Sequence, residues 1–120
     1  MNLIFLPETF AVWKLPATAP LPQVAFFAAI RTRDELSLVT EDALAPKGVP
    51  CERGWRALKV AGPLDFALTG ILAALAVPLA DVKIPIFALS TFDTDYVLIK
   101  DAQLTEAITA LEGAGHVLGG

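Results

Sequence analysis

Ser90-Thr91-Phe92-Asp93-Thr94-Asp95-Tyr96-Val97-Leu98 reads as two strands joined by a turn, and the elements on either side follow from it. It is entered from a run rich in large apolar residues, Ile84 to Phe92, bounded by Lys83 and Asp93, which reads as a buried strand. Asp93-Thr94-Asp95 has turn chemistry, because short Asx side chains bond the local backbone. Tyr96 to Ile99 is aromatic and β-branched, so it reads as the returning strand of a hairpin.

Upstream, Trp55 to Val60 alternates large apolar with charged or small residues, the pattern of a half-buried strand. Gly62-Pro63-Leu64-Asp65 breaks it, and Asp65 is the expected N-cap of a helix. From Leu68 on, Ile71, Leu72, Leu75 and Leu79 recur at helical spacing. Alanines and Val77 fill much of the rest, so this helix is apolar nearly all round and should be covered on more than one side. Pro78 should end or bend it near its last turn. Downstream of the hairpin, Asp101 is the expected cap of a second helix with Leu104, Ala107, Ile108 and Leu111 on one face. Its other face is polar, and Gly113 and Gly115 stop it. His116-Val117-Leu118 can form a short last strand.

The order is strand, helix, strand, strand, helix, strand. It predicts an α+β, ferredoxin-like βαββαβ domain: a four-stranded antiparallel sheet with both helices on one face and a right-handed first crossover. The first half is more broken. Phe10 to Leu15, Ala25 to Thr32 and Leu36 to Thr40 read as strands, and Glu41 to Ala45 as one helical turn. Between the first two strands lies only Pro16 to Gln23, with three prolines, too short and stiff for a full helix. This suggests the same order with its helices worn down, and a division into residues 1–54 and 55–120.

Composition narrows the function. Hydrophobic residues make up 55% of the chain and charged ones 18%, richer in apolar residues than a typical globular chain at roughly 45–50%. A small chain cannot hide such a surplus inside itself, so an oligomer is expected, most simply a homodimer. Residues 1–60 carry seven Lys/Arg against six Asp/Glu, and residues 61–120 two against seven. Neither half offers the basic patch that nucleic acid or an anionic membrane requires. A single cysteine, Cys51, makes neither a disulfide framework nor a thiolate zinc site, and a reducing cytoplasm is its natural home. The first residues lack a basic n-region and a long apolar run, so no signal peptide is expected. The uncharged run from Phe66 to Ala80 is shorter than the ~20 residues a membrane span needs. No convergent set of nucleophile, base and anion-stabilising groups is visible, so no enzyme and no cofactor are expected.

Gly62-Pro63-Leu64-Asp65-Phe66, a helix, and then Ile84 through Leu98 together resemble the ACT domains of aspartokinase type. The chain is most similar to small bacterial tandem-ACT proteins related to ACT-built arginine sensors. The pattern Ser-Thr-Phe/Tyr-x-x-Asp-Tyr/Phe carries the resemblance, which covers residues 55–116. It is looser over residues 1–54, where Pro7, the Arg31-to-Leu38 hairpin and Glu52-Arg53-Gly54-Trp55 are similar in layout. What it implies is non-catalytic, regulatory binding of a free amino acid at an interface between ACT domains. The implied ligand-binding residues are Gly62, Pro63, Leu64, Asp65 and Phe66 on the entry loop, with Ser90, Thr91, Phe92 and Asp95 on the hairpin.

The chemistry suits such a ligand. A helix N-terminus offers unpaired backbone N–H groups and partial positive charge to a carboxylate. Gly62 lets a ligand approach the backbone, Asp95 can hold an ammonium or basic side chain, and Phe92 can wall the pocket. Each residue also has a plainer reading. Asp93 and Asp95 can simply form the turn, Asp65 simply cap the helix, and Phe92 belong to the core. The alternative function is a ligand-free ACT-like dimerisation or protein-interaction module with an unidentified protein partner.

Overall fold

The structure is a computed structural model that describes residues 1–65 and 67–119. It is an α+β chain whose strands are β1 (Asn2–Pro16), β2 (Ala28–Arg31), β3 (Glu35–Glu41), β4 (Cys51–Val60), β5 (Phe87–Ser90), β6 (Asp95–Lys100) and β7 (Val117–Gly119). The helices are α1 (Ile71–Asp81) and α2 (Leu104–Gly113), with single 3-10 turns at Asp42–Leu44 and Asp101–Gln103. The chain divides into two compact units, Met1–Pro7 with Arg56–Gly120, and Glu8–Trp55. β1 and β4 each contribute residues to both.

The first unit follows the expected order from β4 through α1, β5, β6 and α2 to β7. Its strands neighbour one another in the order β1, β4, β6, β5, with β5 and β6 antiparallel. Leu58 and Val60 on β4 and Val97 and Ile99 on β6 share one sheet face. Leu75 and Leu79 of α1 and Ala107 and Leu111 of α2 bury against that same face. Both helices therefore cover one side of the sheet, as an antiparallel sheet with one layer of helices requires. The last strand pairs in parallel with the chain's first residues, Asn2 opposite Val117 and Leu3 opposite Leu118. On its other edge the same segment meets the end of β4, where Ala61 N–H donates to the Asn2 carbonyl at 2.9 Å.

Four local expectations need correction. Asp65 does not cap α1: the helix starts at Ile71 after Gly70, which sits in the left-handed region at φ 75° and closes the preceding loop. The Asp65 carboxylate instead accepts from the Ala67 N–H at 2.8 Å, an Asx turn. Asp101 does not cap α2 with its side chain; it opens a 3-10 turn, and its carboxylate lies 3.4 Å from Arg56. The run from Ile84 is a strand only from Phe87 to Ser90, because Pro85 has no N–H to give a ladder. Pro78 stands inside α1, which ends at Asp81, three residues later. Only Leu75 and Leu79 of α1 are buried. Leu72 and Val77 are 38% and 57% exposed, so the helix is covered on one side of this chain and not on two.

The second unit is built on β1 and β3 in antiparallel register, Phe10 opposite Glu41 through Pro16 opposite Glu35, with β2 on the outer edge of β3. Its core is Ala11, Trp13, Leu36 and Leu38. The indole N–H of buried Trp13 donates to Thr40 Oγ1 at 3.0 Å, so the ring's one polar atom is satisfied. Asp42 receives Arg53 at 2.7 Å and the Gly54 N–H at 2.9 Å. The hydrogen bond to Asp42 holds the Arg53 proton more tightly than usual. Among the described residues this unit contains no α-helix.

Candidate functional site

The site is built where β4 hands the chain to α1 and the β5–β6 hairpin turns beside it. Gly62 is the close-approach point: a Cβ there would meet the Asp93 carbonyl and the Thr94 Cβ at 3.2 Å each. Side chains rarely tolerate such spacing, so the loop can lie against the turn only because residue 62 lacks one. Leu64 N–H donates to the Asp93 carbonyl at 2.7 Å. Thr94 is buried, and its hydroxyl donates to the Val60 carbonyl at 2.7 Å, tying the turn to the end of β4.

The turn closes on itself through Thr91. Its N–H donates to the Thr94 carbonyl at 2.8 Å, and its hydroxyl oxygen accepts from the Thr94 N–H at 3.3 Å. Ser90 and Asp95 face each other across the hairpin, and the Ser90 hydroxyl donates to Asp95 Oδ1 at 2.6 Å. One carboxylate oxygen of Asp95 is thus oriented and the other left over. Phe92, at the tip, is 78% exposed. The core reading of Phe92 fails because the turn places its side chain outside both strands.

Between loop, hairpin and helix start lies an open cavity of about 310 Å³, within the lower range of small-molecule sites, roughly 300–1,000 Å³. Of the residues expected at a site, Leu64, Asp65, Ser90, Thr91, Phe92 and Asp95 line it. Gly62 and Pro63 do not; Gly62 shapes the wall from behind. Phe66 lies outside the described residues. The sequence reading missed Leu68, Gly70, Ile71, Leu72, Asp93 and Thr94, which also line the cavity. Three of these, Gly70, Ile71 and Leu72, belong to the true helix start, and Leu68 to the loop before it. Gly70, standing just before the strongest apolar spacing, was the available signal.

The lining joins two kinds of group. It includes the first residues of α1, Ile71 and Leu72, with no side chain capping the helix end. Such an end carries partial positive charge and exposed donors. It also includes three acidic residues, Asp65, Asp93 and Asp95, and among the described residues no Lys, Arg or His lines the cavity. Among the described residues no group of three metal-ligating side chains occurs, nor any helix long and apolar enough to cross a membrane.

Comparison with known proteins identifies the family. Residues 51–113, more than half of the chain, match the family model described as ACT domain. Over 105 residues the chain is 31% identical to the bovine (Bos taurus) cytosolic arginine sensor for mTORC1 subunit 1, covering 80% of this chain and 32% of that protein. The chain thus spans about a third of the length of this curated relative. Among solved structures, the Agrobacterium tumefaciens protein Atu0741 superposes with a TM-score of 0.91 at 34% identity, covering 98% of this chain and 91% of that one. The regulatory subunit of aspartate kinase from Thermus flavus shares the fold at a TM-score of 0.65 and 11% identity, covering 95% and 97%. The similarity is to regulatory and sensor proteins of this kind, and the chain belongs to the ACT domain family.

Proposed function

We propose that the chain is a non-catalytic regulatory module that binds a free amino acid in the cavity at the start of α1. The observation that carries this reading is the cavity lining, which joins the uncapped start of α1 to three acidic residues, Asp65, Asp93 and Asp95, with no basic residue among those described. The ligand carboxylate docks on the helix N-terminus, and its ammonium on the free oxygen of Asp95. Three carboxylates exceed what one ammonium needs, which favours an amino acid with a second positive charge on its side chain. The relative named as an arginine sensor supports the same choice.

The mouth of the cavity is open and ringed by exposed apolar side chains, Leu68, Leu72 and Phe92. We read the homodimer as the cover: a second copy would shield these residues and the outer face of α1, and the ligand would sit at that interface. Residues 1–54 as a degenerate ACT-like half, residues 55–120 as the ACT domain, and a cytoplasmic location belong to the same proposal. Ligand-free dimerisation or partner binding is the second reading, favoured by the bare apolar face of α1 alone.

A thermal-shift panel of the common amino acids tests the choice. A ligand at a hundred times its Kd stabilises by about 2.7 kcal/mol, well within detection. Arginine or lysine should raise the melting temperature most, neutral amino acids less, and glutamate not at all. No shift with any amino acid at millimolar concentration leaves the interaction-module reading.

A further inference from the structure

Pro78 stands inside α1 with no N–H to donate, so the carbonyl four residues earlier, that of Ala74, has no helical partner. His116 fills that place, its Nε2 lying 2.8 Å from the Ala74 oxygen. A carbonyl only accepts, so Nε2 carries the ring proton and Nδ1 is an acceptor. Nδ1 lies 3.1 Å from the amino nitrogen of Met1. His116 is buried, at 8% exposure, and both of its ring bonds are part-buried. It is presented by the turn that ends α2, where Gly115 takes φ 93° and the His116 N–H donates to the Leu111 carbonyl at 3.1 Å.

Ala74 lies within one turn of Ile71 and Leu72, the residues that bring the start of α1 to the cavity. The Ala74 N–H donates to the Gly70 carbonyl at 2.9 Å, so residue 74 links the His116 bond, through its carbonyl, to the helix start, through its N–H. We propose that His116 is a positioning residue. It completes the helix at the carbonyl that Pro78 orphans and thereby fixes the first turn of α1 against the cavity. Histidine and proline act as a pair: the ring is needed because the proline is there.

The hydrogen bond and the pairing stand without any ligand, while the consequence for binding rests on the amino-acid reading above. The test uses the full chain and three readouts. Long-range ¹⁵N–¹H spectra should show the His116 ring protonated at Nε2; protonation at Nδ1 alone overturns the proposal. In His116→Ala, native-state hydrogen exchange of the α1 amides should quicken by up to about tenfold, the cost of one part-buried carbonyl losing its partner. Adding Pro78→Ala returns an N–H to Ala74, so the same histidine deletion should then cost less than about threefold. His116→Gln, whose amide can donate to the same oxygen, should keep most of the protection. Equal losses with and without Pro78, or a His116→Gln variant as fast as His116→Ala, would overturn the pairing. If the wild type shifts with an amino acid, the shift should weaken in His116→Ala and return with Pro78→Ala. A wild type that shifts with none leaves the two ligand-free readouts, ring spectra and hydrogen exchange, to decide.

Discussion

The unit formed by Met1–Pro7 and Arg56–Gly120 and the unit formed by Glu8–Trp55 both rest on antiparallel strands, yet they differ in the segment to which a strand leads. In the first, β4 leads through a loop into α1, and an open cavity of mixed polar and apolar lining forms at the helix start. In the second, β1 leads into Pro16–Gln23, with three prolines, and β2 comes next with no helix between. The second unit has a core of its own, with Trp13 and Leu38 almost wholly buried. What it lacks is a row of unpaired N–H groups beside carboxylates. A sheet and a core make a stable fold, and the helix terminus is what adds a place for a small zwitterion.

That contrast can be broken at several points. Leu79→Ala removes a fully buried side chain between α1 and the sheet, and should cost about 2–5 kcal/mol in urea unfolding. If the cost falls below about 1 kcal/mol, α1 is not packed as described. Gly62→Ala forces a methyl against the Asp93 carbonyl and Thr94, and should cost about 1–3 kcal/mol by the same measurement. It should also abolish any ligand-induced thermal shift, since loop and hairpin must part. Thr94→Val keeps the shape but loses the hydroxyl bond to the Val60 carbonyl, at about 1–2 kcal/mol. A neutral Thr94→Val would mean that the turn is held by the Leu64–Asp93 backbone bond alone.

Much of this was legible in the sequence where the deciding interactions are local. The hairpin from Ser90 to Leu98 was legible as strand, turn and strand, because short polar side chains bond the nearby backbone. The turn chemistry points to the aspartates and the apolar run to a first strand reaching Phe92, whereas the Thr91 hydroxyl bonds Thr94 and the strand ends at Ser90. The order of elements comes from periodicity in the same way. The start of α1 was misplaced because Asp65 satisfies a local rule for capping, while Gly70 in the left-handed region decides the outcome. Two features depend on contacts far apart in the chain, which no local pattern encodes. One is the parallel pairing of Asn2–Ile4 with Val117–Gly119. The other is the meeting of His116 with Ala74, visible only once α2 and α1 lie side by side. Phe92 misled for the opposite reason: large aromatics are usually buried, and here a turn holds one in the open.

The central claim is that the cavity beside α1 receives a free amino acid through Asp95. Calorimetric titration of arginine into the wild-type protein and into Asp95→Asn tests it most directly. Asp95 is only half-buried, and asparagine can still accept from the Ser90 hydroxyl, so the variant should keep its melting temperature within about 0.5 kcal/mol of stability. Saturable binding to the wild type, weakened at least about tenfold in the folded variant, is the predicted result. Equal affinity in both proteins, or no binding to the wild type at millimolar arginine or any other amino acid, would contradict the account.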